Sequence, residues 1–379
     1  MNELLHTEPH LRPTVMTIDL DALRHNVRAI RAQVGSQTKV MAVVKANAYG
    51  HGLLECAPVL AAEGVDAFGV ALVEEGVELR RAGISKPILV FGGILTDQIE
   101  VYIKSDLDLT ASSVSKISYI DRVAAKLTRR ARIHLKIDTG MGRIGVRPET
   151  APELFAAAQD AKHCDVVGIF SHLATADESD HSYTELQTRR FGDTCALWSG
   201  ATAPVRHLAN SAAVIAHPDT YFEMVRPGIG LFGVMPGPEL QNTLQLRPVM
   251  KVSSRIVYFK VVRAGESVSY GRSWRASVDS RIVTVPIGYG DGYPRALSNK
   301  GAVLIRGKRY PIVGRVCMDQ ILVNIGNDEA YNGDEVVLVG QQGGERITLE
   351  EIADQVGTIP YEILTALNLR IPRLLLRRT

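Results

Sequence analysis

The chain has 379 residues, 46% of them hydrophobic and 22% charged, which is an ordinary globular composition with room for two domains. Its 43 basic and 41 acidic residues leave a net charge of +2, which gives no electrostatic basis for binding nucleic acid or a membrane surface. No apolar run approaches the roughly 20 residues that a membrane-spanning helix needs, and residues 1–13 lack the apolar core of a signal peptide. Four scattered cysteines without a CxxC pair favour a reduced compartment over a disulfide framework or a zinc site. We therefore expect a cytoplasmic protein.

The first part of the chain alternates short apolar strands with helical stretches. Residues 14–20 alternate like a strand, and a helix is predicted from Asp21 to about Val34. Eight further strands are predicted at residues 40–44, 67–70, 88–91, 107–109, 133–137, 166–170, 205–208 and 221–225. This spacing indicates βα units, and eight such units predict a closed (β/α)8 barrel with its active site at the C-terminal strand ends. A doubly wound open sheet is the alternative that the spacing leaves open.

The pattern changes to strands separated by turns after Gly237-Pro238. Strands are predicted at residues 249–262, 281–287, 303–305, 310–313, 320–325 and 336–339, and residues 370–378 as a closing strand with solvated arginines. Helices are predicted at Leu349–Val356, with Thr348 as N-cap, and at residues 361–367. We therefore predict a barrel over residues 1–240, of which residues 1–12 form a flexible tail, and a β-rich domain over residues 241–379.

Lys45 stands directly after the apolar run Val40–Val44, which is typical of a strand buried on both faces. Burial lowers the pKa of a lysine, and the neutral amine is the nucleophile that forms Schiff bases. A solvated lysine where a strand meets a turn is the alternative, and it is the commoner outcome for a lone lysine. The residues at the ends of the other strands are therefore needed to choose between a reactive and a solvated Lys45.

Chemically useful residues follow several of the other predicted barrel strands. Ser211 and the backbone amides of Gly228 and Ile229 follow strands seven and eight, where barrels of this class build phosphate sites. Each residue also has a structural explanation, since Asn-Ser is a common helix cap and Arg-Pro-Gly a common turn. Together they suggest pyridoxal phosphate bound to a lysine. The other strand-end residues are Lys136, Asp138 and Arg143 after strand five, His172 after strand six, Asn210 after strand seven and Arg226 after strand eight.

Two other kinds of site are rejected. Gly228–Gly233 matches GxGxxG, but the residues Val234–Pro238 that follow cannot continue as the helix that a dinucleotide site needs. His172, Asp177 and His181 lie close in sequence without zinc-type spacing, so no metal site is predicted.

The stretch Ala42–Gly52, AVVKANAYGHG, resembles the cofactor-lysine signature of alanine racemases. The resemblance extends over nearly the whole chain, and the ordered motifs make it specific. It implies a barrel plus a β domain, assembled as a head-to-tail homodimer in which residues of one subunit's β domain complete the other's active site. The further motifs are Lys136–Arg143, Asn210–Ala212, Arg226–Leu231, Val268–Gly271, Ile287–Tyr293, Cys317–Gln320 and Pro360–Leu364.

The resemblance implies a role for each matching residue. Lys45 would hold pyridoxal 5'-phosphate as a Schiff base, and Tyr270 of the partner subunit would be the second acid/base. Arg226 would contact the pyridine nitrogen, and His172 would form a hydrogen bond with Arg226. Tyr49, Ser211, Gly228, Ile229 and Tyr361 would bind the phosphate. Arg143 would contact the ring hydroxyl and the substrate, Met318 the substrate carboxylate, and Tyr289 would lie at the entrance. Asp319 would orient the Met318 loop, and Lys136, carbamylated in some family members, would position Arg143.

The implied function is interconversion of L- and D-alanine by a two-base mechanism, supplying D-alanine for peptidoglycan. A racemase of serine or lysine on the same scaffold is the nearest alternative. A fold-related amino-acid decarboxylase is expected to have Glu-Pro-Gly where this chain has Arg226-Pro-Gly. A single-barrel pyridoxal-phosphate-binding carrier would lack the β domain and Tyr270.

Overall fold

The computed structural model of the protein describes residues 2–5, 11–240 and 244–378, which form two compact units. The barrel unit contains residues 23–48 and the described residues of 53–246, and the β-rich unit contains residues 49–52, those described before residue 23 and those from 247 onwards. Within the described residues, no helix is long and apolar enough to cross a membrane.

Ten strands and nine helices occupy the described residues before 240. The strands are β1 (Asn2–Leu5), β2 (Val15–Asp19), β3 (Lys39–Val43), β4 (Ala67–Val70), β5 (Ile88–Val90), β6 (Asp108–Ala111), β7 (Ala131–Lys136), β8 (Cys164–Phe170), β9 (Val205–His207) and β10 (Met224–Val225). The helices are α1 (Leu20–Val34), α2 (Lys45–Tyr49), α3 (Leu53–Ala62), α4 (Val73–Arg81), α5 (Ile99–Lys104), α6 (Val114–Lys126), α7 (Ala151–Asp160), α8 (Ser182–Ala196) and α9 (Ser211–Ala216).

Strands β3 to β10 form a closed barrel in chain order, with β10 paired in parallel to β3. The predicted barrel is therefore confirmed, and the open sheet is excluded. Several of these strands are buried on both faces, as parallel barrel strands covered by helices should be, and in β4 every residue is buried. Part of the barrel's core is a cluster of Met41, Ala67, Leu89, Phe170 and Met224.

The β-rich unit contains the remaining strands. They are β11 (Met250–Arg255), β12 (Tyr258–Val262), β13 (Ser267–Val268), β14 (Trp274–Arg275), β15 (Ser280–Val285), β16 (Ala302–Ile305), β17 (Lys308–Pro311), β18 (Ile321–Gly326), β19 (Glu335–Gln342), β20 (Glu345–Ile347) and β21 (Arg373–Arg378). The helices are α10 (Leu349–Val356), which Thr348 caps by accepting from Glu351 N at 3.1 Å, and α11 (Pro360–Ala366).

The predicted strand at residues 249–262 is two strands in different sheets. β11 lies in the large sheet β1-β21-β2-β11-β19-β16-β17, whereas β12 begins the three-stranded sheet β12-β15-β18. The chain changes partner between them: Ile256 N donates to Asp334 O at 3.0 Å, and Val257 N donates to Thr284 O at 3.0 Å. The β-strand propensity of residues 249–262 does not reveal such a change of partner.

The N-terminal part of the domain prediction is wrong. Residues 2–5 form β1, which pairs with β21, and β2 pairs with β11 and β21 rather than with the barrel. Burial alternates along β2, which is typical of a strand with one covered face, whereas the barrel strand β4 is covered on both. Residues 1 and 6–10 of the predicted tail lie outside the described residues.

Candidate active site

Lys45 begins a left-handed turn at the C-terminal end of β3. Ala46, Asn47 and Ala48 have φ of 53°, 54° and 53°, a conformation that costs roughly 1–2 kcal/mol per residue for side chains with a Cβ. Polar contacts stabilise the turn: Glu75 Oε1 accepts from Ala46 N at 2.6 Å, and Asn47 Oδ1 accepts from Leu53 N at 2.7 Å. Backbone strain of this kind clusters at functional sites, so the turn supports a specific role for Lys45.

The surroundings of Lys45 favour its neutral amine. Burial lowers the pKa of Lys45, the positive charges of Arg143 and Arg226 lower it further, and Glu75 opposes them. Burial is the largest of these effects, so the amine is partly desolvated.

Arg226, directly after β10, is buried among hydrogen-bond acceptors. Its Nη2 donates to Ser171 O at 2.7 Å and to Leu208 O at 2.9 Å, and it lies 3.3 Å from His172 Nδ1. The expected contact with His172 is therefore present. Burial lowers the pKa of Arg226 to about 9, which leaves the guanidinium charged at neutral pH.

Ser211 joins the loops after β9 and β10. Its Oγ accepts from Gly228 N at 2.8 Å and from Gly230 N at 3.3 Å, while Asn210 caps α9 by accepting from Ala213 N at 3.0 Å. Ile229–Phe232 forms only a short 3-10 turn, so the GxGxxG match does not open a long helix. The hydroxyl and the clustered amides suit a phosphate group.

Lys136 is buried at the end of β7. Its Nζ donates to Ile137 O at 2.9 Å and lies 5.0 Å from the ring centroid of Phe170. Burial, and then the charge of Arg226, lower the pKa of Lys136 to about 7. Asp138 accepts from Gly140 N at 3.0 Å and Gly142 N at 3.1 Å, which organises the loop leading to the exposed Arg143.

Sequence reasoning missed Glu75, His134 and His207. His207 Nδ1 lies 3.1 Å from Arg226 Nη1, and His134 Nδ1 lies 2.9 Å from His207 Nε2. One signal was available: His134 and Lys136 are two residues apart in a strand, so they share a face, and an interior lysine implies an interior histidine.

Tyr270, Tyr289 and Met318 lie on loops of the β-rich unit that are bonded to one another. Tyr289 N donates to Cys317 O at 3.0 Å, and Gly290 N donates to Met318 O at 2.8 Å. Ser269, beside Tyr270, donates through Oγ to Arg315 O at 2.7 Å. Tyr270 and Met318 are 70% and 54% exposed, so their side chains are available to another surface.

The same unit places the remaining predicted residues. Arg370 binds Asp319 at 2.7 Å, which fixes the loop that carries Met318. The rings of Tyr49 and Tyr361 lie 6.1 Å apart between centroids.

Comparisons with known proteins match both parts of the chain to one family. A family model described as alanine racemase, N-terminal domain, matches residues 18–236, and one described as alanine racemase, C-terminal domain, matches residues 249–375. The chain belongs to the alanine racemase family. Alanine racemases are isomerases, so the protein is an enzyme of that class.

Individual alanine racemases are similar over almost their full length. The alanine racemase of Halothermothrix orenii is 43% identical, with 96% of each chain covered. The crystal structure of the alanine racemase from D-cycloserine-producing Streptomyces lavendulae has a TM-score of 0.94 at 39% identity, covering 98% of this chain and 99% of that chain. The crystal structure of the alanine racemase from Bartonella henselae, solved with covalently bound pyridoxal phosphate, has a TM-score of 0.88 at 32% identity. The match covers 97% of this chain and 100% of that chain.

Proposed function

We propose that the protein interconverts L-alanine and D-alanine, with pyridoxal 5'-phosphate held by Lys45. The observation that carries the proposal is Lys45 itself, a strand-end amine whose pKa burial lowers, with Arg226 among the charges that act on it. We choose alanine as the substrate because the relatives are named alanine racemases.

The residues present fit this cofactor. The amine of Lys45 suits its carbonyl, Arg226 can donate to its ring nitrogen, and the Ser211 hydroxyl with the amides of Gly228 and Ile229 suits its phosphate. We assign Tyr49 and Tyr361 to the same phosphate, and Arg143 to the ring hydroxyl. When bound, the cofactor supplies an electron sink that acidifies the α-C–H bond of the amino acid.

Two residues move the proton in this proposal. Lys45 removes the α-proton of D-alanine, and Tyr270 of the partner subunit removes that of L-alanine from the opposite face. Arg143 and the backbone N–H of Met318 hold the substrate carboxylate, and Tyr289 narrows the entrance. A homodimer with shared sites is supported by the exposed side chains of Tyr270 and Met318. The exposed apolar residues of the edge strand β12 support it as well.

The test is incubation with L-alanine, L-serine or L-lysine, followed by chiral chromatography. We expect D-alanine to form fastest. Activity confined to serine or lysine would contradict the choice of alanine, and release of carbon dioxide would indicate a decarboxylase. Supply of D-alanine for peptidoglycan and the cytoplasmic location stay predictions.

Replacing Arg226 by glutamate is expected to change the reaction rather than merely slow it. Arginine only donates hydrogen bonds, so it leaves the ring nitrogen unprotonated, whereas a glutamate would keep it protonated and strengthen the electron sink. We therefore expect Arg226→Glu to form more pyruvate by transamination for each racemisation event. The measurement is the ratio of pyruvate to racemised alanine. An unchanged ratio would refute this role for Arg226.

Lys136 is expected to be carbamylated. With a pKa of about 7 its amine is largely neutral at pH 8, and it can add carbon dioxide with loss of one proton. The product is an anion that suits the charges of Arg226 and Arg143. Protein incubated with 13C-bicarbonate should show a carbamate signal by NMR at pH 8 that weakens below pH 7. Persistence of the signal in Lys136→Gln would show that another amine carries it.

A further inference from the structure

A row of buried polar side chains crosses the barrel interior behind Arg226. Asp108 begins β6, His134 lies in β7, His207 ends β9, and all three are nearly fully buried. Arg226 Nη1 lies 3.1 Å from His207 Nδ1, and His207 Nε2 lies 2.9 Å from His134 Nδ1. His134 Nε2 then lies 3.5 Å from Asp108 Oδ2.

Donor and acceptor chemistry gives this row one direction. Arg226 can only donate, so His207 Nδ1 must accept and carries no proton. The neutral ring of His207 therefore has its proton on Nε2 and donates to His134 Nδ1. His134 in turn carries its proton on Nε2, which faces the carboxylate of Asp108. Both hydrogen bonds of the row thus point from Arg226 towards Asp108, whose Oδ2 lies 3.5 Å from His134 Nε2.

Burial and packing hold the two rings in this arrangement. Burial, and then the charge of Arg226, lower the pKa of His207 well below its ordinary value, which keeps the ring neutral. Phe170 stacks on His207 with centroids 4.9 Å apart and planes 1° apart. A Cβ at Gly168 would lie 2.1 Å from His134 Nδ1, so the glycine makes room for that ring.

We propose that Asp108, His134 and His207 form a relay that positions Arg226 from the opposite end of the barrel. Hydrogen bonds in a chain polarise one another, so a fixed far end orients the whole row. Asp108 is fixed at the far end because Arg132 Nε donates to its Oδ1 at 2.6 Å. The three residues are positioning residues: they hold the guanidinium as a donor. The consequence for catalysis rests on the function proposed above, whereas the proton positions do not.

The first test locates the protons without cofactor or substrate. In protein with 15N-labelled histidine rings, NMR should find His134 and His207 both neutral, with the proton on Nε2. His134→Asn keeps an acceptor near the position of Nδ1, so it should leave the His207 spectrum almost unchanged. His134→Leu removes the acceptor and should shift the His207 Nε2–H signal. A proton on Nδ1 of either ring would overturn the relay.

The second test measures the effect on the reaction. Without the Asp108 carboxylate, His134 and His207 are held less firmly and orient Arg226 less well, so the guanidinium keeps the ring nitrogen of the cofactor unprotonated less completely. Asp108→Asn should therefore raise the ratio of pyruvate to racemised alanine severalfold. In this side reaction the amino group stays on the cofactor, and water supplies the keto oxygen of pyruvate.

The matched control is Asp165→Asn, which removes a carboxylate paired with Arg130 at 2.6 Å, outside the relay. It should leave the ratio at the wild-type value. An equal ratio in both variants would overturn the role of Asp108. If Asp108→Asn does not fold, His134→Leu replaces it, because it removes the side chain between Asp108 and His207. A wild-type protein with the expected proton positions but no racemase activity would refute the proposed function and leave the relay standing.

Discussion

Replacing Lys45 by alanine is expected to abolish the covalent attachment of pyridoxal phosphate and to lower racemisation by about 10⁴-fold, the upper end of what a general acid/base contributes. Lys45 serves in two roles, as the attachment point and as one of the two bases. Its neutral amine depends on burial and on the charges of Arg143 and Arg226. Borohydride reduction followed by peptide mass analysis should find the label on Lys45 in the wild type and none in the variant.

Lys39→Ala is the matched control for this experiment. Lys39 lies at the opposite end of the same strand, β3, where it is exposed. It should therefore keep both the label and the activity. A label that persists in Lys45→Ala would assign the attachment to another lysine, and Lys136 would be the next candidate.

The barrel was predictable because short apolar strands alternate with helical stretches eight times in succession. Val40–Val44 is an unbroken apolar run, which is typical of a strand buried on both faces. Residues 14–20 are predicted correctly as a strand, but the domain prediction places them in the barrel rather than in the β-rich unit. Burial alternates along β2, which indicates a strand with one covered face. Counting strands does not distinguish such a strand from one that belongs to the barrel.

The relay behind Arg226 was not predictable from the sequence. His134 and His207 are 73 residues apart, and they meet because β7 and β9 both pair with β8 and present these side chains to the same interior. A histidine in an apolar strand is most often a core residue whose hydrogen bonds are only structural. Here the donor and acceptor roles in the hydrogen bonds of His134 and His207 indicate a further role. These donor and acceptor roles follow from Arg226, whose side chain has no acceptor atom.

The site concentrates positive charge. Burial, and then the charges of Arg143 and Arg226, lower the pKa of both Lys45 and Lys136. Such a set suits a phosphorylated cofactor and a substrate carboxylate, which are both anionic. A carbamate on Lys136 would add a compensating negative charge next to Arg226 and Arg143, both of which act on the Lys136 amine.

Replacing Tyr270 by phenylalanine is expected to affect the two isomers unequally. The variant keeps Lys45, so it should retain the bound cofactor and still remove the α-proton of D-alanine. It lacks the phenol that acts on L-alanine, so racemisation should fall by about 10²–10⁴-fold, the usual contribution of general acid/base catalysis. In D₂O, NMR should show exchange of the α-proton of D-alanine and almost none for L-alanine. Tyr289→Phe, an exposed tyrosine of the same loop cluster, should leave this exchange symmetrical.

Mixing Lys45→Ala with Tyr270→Phe decides whether the two residues come from different subunits. In a mixed dimer with shared sites, one site receives both wild-type residues and the other receives neither. If subunits exchange at random, activity should return to about a quarter of the wild-type value, because half the dimers are mixed and each has one intact site. Each variant alone should stay inactive at every protein concentration. If the mixture also stays inactive after subunit exchange has been verified, Lys45 and Tyr270 act within one chain, and the exposed position of Tyr270 would need a different explanation.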